Sequence, residues 1–191
     1  MKHLPINRNL QVGASLIEVL VAILILSFGM LSLGAMLSFS VQLPKLSGYR
    51  ATAANLASST VERIRANPDG FSSGNYVAGL NETSAWKFYP ANPITLSDCS
   101  YPTCTSATLA TMDIQASRSA IRRELPGGDL IIKCSSSPCA KNSYGEIWAV
   151  WQEPSTFAVL DPSSSDNCPS EATTLYTDPK PRCLYVRFKI E

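Results

Sequence analysis

Six cysteines are the densest group of reactive side chains in this chain: Cys99, Cys104, Cys134, Cys139, Cys168 and Cys183. Their spacing runs C-x4-C, C-x4-C, then C-x14-C. Two chemistries compete for such thiols. They can form disulfides in an oxidising compartment, or four of them (Cys99, Cys104, Cys134 and Cys139) can hold a zinc ion as thiolates. The spacing lies at the edge of the zinc range, and an even count favours disulfides. Several connectivities are open to six cysteines, and sequential pairing is the expectation. No C-x-x-C is present, so disulfide-exchange chemistry has no support.

Histidine occurs once, at His3. A chain shortened at its start would hold none, which removes histidine triads, histidine acid–base work and histidine metal sites. Asp161 and Asp166 form the one carboxylate pair worth weighing. Both lie in a Pro/Ser loop and read as turn caps. No P-loop or dinucleotide fingerprint occurs. No cofactor is expected, and the chain reads as a non-enzyme.

A third chemistry concerns Glu18. Between it and Lys45 there is no charge, and Val19 to Val41 is apolar but for four serines. About 20 such residues span a bilayer as a helix. The run is too long for the apolar part of a cleaved secretory signal. Charged residues make up only 16% of the chain, and this segment holds none of them. A lone carboxylate entering hydrocarbon is costly unless paired. Cleavage after Gly13 would place a positively charged α-amine on Ala14, four residues before Glu18.

Gly13-Ala14-Ser15-Leu16-Ile17-Glu18-Val19-Leu20-Val21-Ala22 resembles the class III signal of type IV pilins and type II secretion pseudopilins. The resemblance implies cleavage after Gly13 by a prepilin peptidase, methylation of the Ala14 amine, and a role for Glu18 in subunit assembly. The family usually has Phe or Met where this chain has Ala14. A second resemblance, to the PilV branch of minor pilins, rests on Val61-Glu62-Arg63-Ile64-Arg65-Ala66-Asn67-Pro68. It is supported by Leu125-Pro126-Gly127-Gly128-Asp129-Leu130-Ile131-Ile132 and by Val150-Trp151-Gln152-Glu153. It implies a low-abundance subunit that primes or caps a type IV pilus within a tip complex. The implied partners are other minor pilins, the major pilin and a large pilus-tip adhesin. A minor pseudopilin of a type II secretion tip is the alternative.

The implied fold is α+β: a long N-terminal helix, its first half transmembrane, packed on an antiparallel β-sheet head. The domains expected are a cytoplasmic leader (1–13), the long helix (14–66, membrane segment about 19–41) and a periplasmic disulfide-containing head (67–191). The protein would sit in the inner membrane with the head in the periplasm, and at the pilus tip after assembly.

The residues behind that layout are legible. Leu46, Tyr49, Ala53, Leu56 and Thr60, with Ala54, Ala57, Val61 and Ile64, recur at helical spacing. Glu62 and Arg65 can pair on the helix face. Asn67-Pro68-Asp69-Gly70 stops the helix. A helix from about Ala14 to Ala66 would be roughly 80 Å long. Gly29, Ser32, Gly34, Ala35 and Ser38 make a small-residue surface suited to helix–helix contact, and Pro44 is a place for a bend. Residues 70–111 read as a long irregular connection holding Phe71, Tyr76, Trp86, Phe88 and Tyr89.

Met112 to Leu125 reads as a second helix. Strands are expected at Leu130–Cys134, Glu146–Gln152, Thr156–Leu160 and Leu184–Ile190. Glu146–Gln152 is apolar on both faces: Ile147, Ala149 and Trp151 on one, Trp148 and Val150 on the other. Leu184, Val186, Phe188 and Ile190 oppose Tyr185, Arg187 and Lys189.

The balance of 16 Lys+Arg against 15 Asp+Glu gives no general pull on nucleic acid. Two basic clusters stand out nonetheless: Arg118, Arg122 and Arg123, then Lys180, Arg182, Arg187 and Lys189. A DNA-binding face built from them is the weaker reading, and nucleic acid is not an expected partner.

Overall fold

The computed structural model describes residues 13, 15–80, 94–100, 102–137, 139–140, 142–153, 168–176 and 180–190. The chain divides into two compact units, Met1–Leu43 and Pro44–Glu191. Helix α1 (Leu16–Ala66) supplies residues to both and includes Pro44. In the first unit, the described side chains of α1 are exposed. In the second, Ala53, Ala57, Val61 and Ile64 are buried, one stripe at 3.6-residue periodicity.

The stripe ends at Asn67, where helix α2 (Pro68–Ser72) begins at once. Asn67 accepts the Gly70 amide at 3.2 Å, and Pro68 supplies a first residue needing no donor. The expected stop signal is therefore also a start signal. Helix α3 (Ser106–Glu124) starts six residues before the expected Met112. Its cap is Thr105, whose hydroxyl accepts the Thr108 amide while the Thr108 hydroxyl accepts the Thr105 amide. A threonine at the third helical position replaces the usual Glu or Gln, so the sequence signal was weak. The buried residues of α3 are Ala110, Asp113, Ser117, Ile121 and Arg122. Thus 70–111 is not irregular throughout.

Gly127 and Gly128 turn the chain from α3 into β1 (Asp129–Cys134). Gly127 has φ +58°, and a β-carbon at Gly128 would lie 2.7 Å from the Ile121 carbonyl oxygen. Both positions need glycine. Strand β2 (Tyr144–Gln152) pairs antiparallel with β1, and β3 (Pro181–Lys189) pairs antiparallel with β2. The sheet order is β1-β2-β3. Ala78 bridges Ile132 on the far side of β1. Helix α4 (Ser170–Leu175) lies between β2 and β3 in the chain. The strands begin one to three residues earlier than expected. The strand expected at Thr156–Leu160 lies outside the described residues, as do Trp86, Phe88 and Tyr89.

The two apolar faces read in β2 are both used. Ile147, Ala149 and Trp151 join Leu130, Ile132, Phe188 and the stripe of α1 in the main core. Val150 and Ile131 join Ala172, Tyr176 and Cys183 on the other face, under α4. Each fully buried Ile or Leu contributes about 1.5–3 kcal/mol. The architecture is α+β, a long apolar N-terminal helix with a small antiparallel sheet, as the sequence implies.

Candidate functional site

The first turn of α1 places Glu18. Its amide and that of Val19 donate to the Ser15 carbonyl at 3.0 and 3.2 Å. A carboxylate in a first turn meets the positive end of the helix dipole, so the helix favours an anion there. Glu18 is solvent-exposed. Gly13 is also exposed, whereas Ala14 and residues 1–12 lie outside the described residues.

From Leu16 to Val41 the large apolar side chains are all exposed; Phe28 is 65% and Met36 72% accessible. A soluble helix would bury one face of such a stretch. α1 is long and apolar enough to cross a membrane. Two of its hydroxyls are satisfied locally: Ser27 donates to the Ile23 carbonyl at 2.7 Å and Ser32 to the Phe28 carbonyl at 2.6 Å. They need no water in hydrocarbon. Space beside Gly29 and Gly34 is open, with no atom within 4 Å of a β-carbon placed there.

In the head the six sulfurs pair in sequence: Cys99–Cys104, Cys134–Cys139 and Cys168–Cys183. The last bond ties the residue two before α4 to β3. Among the described residues no group of three or more His, Cys, Asp or Glu side chains is arranged to hold a metal. Asp161 and Asp166 lie outside the described residues.

The basic clusters survive only in part: Arg123, Lys180, Arg187 and Lys189 are exposed, and the other three bases are engaged within the fold. Arg122 is almost wholly buried, its Nη2 donating to Asp129 Oδ2 at 2.8 Å. Arg118 Nε lies 3.2 Å from the other Asp129 oxygen, as an ion pair without hydrogen-bond alignment, and its Nη2 donates to the Gly79 and Leu130 carbonyls. Arg182 is buried against Glu153 at 3.2 Å. Three of the seven bases are internal ion-pair members, placed there because a buried carboxylate at Asp129 or Glu153 needs a cation.

Sequence reasoning missed a second polar cluster that secures the end of α1. Tyr76 donates to Asp113 at 2.6 Å, Arg63 reaches the same carboxylate at 3.4 Å, and Asn67 donates to Tyr76 and to the Ser106 carbonyl. Burial, then the bond to Asp113, pushes the Tyr76 hydroxyl well above its ordinary pKa. Burial, then the nearby Asp129, does the same to Tyr176, which donates to the Gly127 carbonyl at 2.7 Å. Asn67 was visible as a helix stop; Tyr76 and Asp113, 37 residues apart, shared no local signal.

A family model for Tt1218-like proteins, described as type IV pilin Tt1218, matches residues 36–115. The matched stretch starts after Gly13–Ala22 and is independent of that motif. Comparison with curated proteins and with solved structures finds no match. Over those residues the chain is similar to type IV pilins; that similarity points to a structural role, and the apolar helix fits a membrane-anchored pilin.

Proposed function

We propose that this type IV pilin-like chain is a minor pilin of the PilV type, a subunit of the tip complex that primes or caps a type IV pilus. The observation that carries the reading is the first unit of α1: an exposed, uncharged helix with a single carboxylate in its first turn. Such a surface requires lipid or other helices as neighbours. A prepilin peptidase would cut after Gly13 and methylate Ala14. Glu18 would then pair with the α-amine of a neighbouring subunit and set axial register, while Gly29 and Gly34 admit close approach of adjacent helices. Minor pilins, the major pilin and a large tip adhesin are the partners in this reading. The head stays in the periplasm until assembly.

The test is intact-mass analysis of the protein extracted from its native membrane, joined to a piliation assay. Loss of residues 1–13 with one added methyl is the expected mass. Glu18→Ala is expected to be processed normally yet absent from pili, with pili scarce. A full-length, unmethylated mass would make the chain an ordinary signal-anchored protein and end the filament reading. Normal piliation with defective protein secretion would transfer it to a type II secretion tip.

A further inference from the structure

β3 is one margin of the sheet. It pairs with β2 along its whole length, and among the described residues no segment pairs with its other side. In an antiparallel ladder, alternate residues direct both N–H and C=O away from the partner strand. A nine-residue edge therefore presents a row of backbone donors and acceptors. Beside that edge, between β3 and the last turns of α1, lies a groove of about 500 Å3. Val61 and Phe188 give it a buried apolar part. Arg65 gives its rim an exposed cation beside Glu62, and Arg187 and Lys189 stand exposed on the outer face of the same edge. Glu62 is paired with Arg65 at 2.7 Å, and on the outer face of the edge Arg187 and Lys189 outnumber Glu146, which lies across the ladder from Arg187, by one. Arg187 is held in place, its guanidinium 4.1 Å from the centre of the Tyr144 ring.

We propose that this edge and groove receive an extended acidic segment of a partner protein, added to the sheet beside β3. Backbone pairing would supply affinity, and alternate side chains would fall into the groove or onto the outer face. The basic pair selects acidic segments and repels basic ones. It also argues against a second copy of this chain: β3, PRCLYVRFK, has no acidic residue, so β3 against β3 sets only cations together. Cations on an edge strand protect against self-pairing while leaving an anionic strand welcome. The inference does not depend on how α1 is assembled.

The test uses the full chain in detergent and a fluorescent peptide alternating glutamate with valine, followed by anisotropy. Saturable binding is expected, weakened about tenfold or more by Arg187→Glu with Lys189→Glu, both exposed positions. On the unchanged chain, N-methylation of either alternate set of peptide amides tests pairing directly; one of the two sets is expected to abolish binding. Four results would overturn the proposal: no saturable binding, equal binding of a lysine–valine peptide, indifference to both N-methylated peptides, or a dimer through β3. Slow amide exchange along the outer edge of β3 in the free chain would also overturn it, because residues of the chain itself would then occupy the edge.

Discussion

At Asp129 two guanidiniums converge on one carboxylate whose side chain is 1% exposed. The pair gains Coulomb energy in a low dielectric but loses the hydration of every member, so its net contribution is small while its rupture is costly. Asp129→Asn leaves Arg122 buried without a counter-ion. It is expected to cost about 3–5 kcal/mol in denaturant unfolding, and Asp129→Leu with Arg122→Met less than either substitution alone. A single change no costlier than an exposed one would show that Arg122 moves out to water. Asn67 has a different job, since it caps α2 while bonding Tyr76 and the start of α3. Asn67→Ala is expected to lower stability by about 1–2 kcal/mol, and amide exchange should quicken first at Gly70 and the last turn of α1.

Among elements, the connections decide more than the strands. The turn between α3 and β1 passes too close to Ile121 for any side chain at Gly128. Gly128→Ala is expected to cost about 1–3 kcal/mol, seen as a lower melting temperature without a change of secondary structure. The Cys168–Cys183 bond closes a separation of 15 residues against 5 for each of the others. On the chain-entropy account it contributes about 3 kcal/mol and each short loop about 2. Replacing Cys168 and Cys183 by Ser should therefore lower the melting temperature more than replacing Cys99 and Cys104. It should also loosen α4 over Val150 and Ile131. Equal effects would mean that α4 holds its place by apolar contact alone.

For the whole molecule, two buried tyrosines set an alkaline limit. Tyr76 and Tyr176 have hydroxyls raised above the unfolded value of about 10. The neutral form is favoured by folding, so their contribution is complete below about pH 10. Above it the unfolded chain loses protons that the folded chain keeps, and stability falls by about 1.4 kcal/mol per pH unit for each tyrosine. Circular dichroism and tyrosinate absorbance should show an alkaline unfolding in which these two ionise only as the fold is lost. Tyrosinate formation of all seven tyrosines before any loss of fold would contradict this.

How far residues announce their place depends on the range of the interaction. An uncharged run from Val19 to Val41 and the cleavage-like motif around Glu18 are local, and no tertiary contact is needed to read them. The same holds for the helical stripe Ala53–Ala57–Val61–Ile64 and for the two-sided apolarity of β2, because periodicity is a property of consecutive residues. On these the α+β architecture was already decided. The partners of Arg118, Arg122 and Arg182 were not. Their carboxylates lie 7 to 29 residues away, and on sequence alone three bases on or near a helix or strand read as a solvated face. The start of α3 and the Tyr76–Asp113 bond were equally hidden, the first because threonine stood in for an acidic cap, the second because only folding brings distant residues together. Charge count and hydrophobic pattern are additive along a chain, whereas desolvation is a property of a place, and only tertiary structure assigns places.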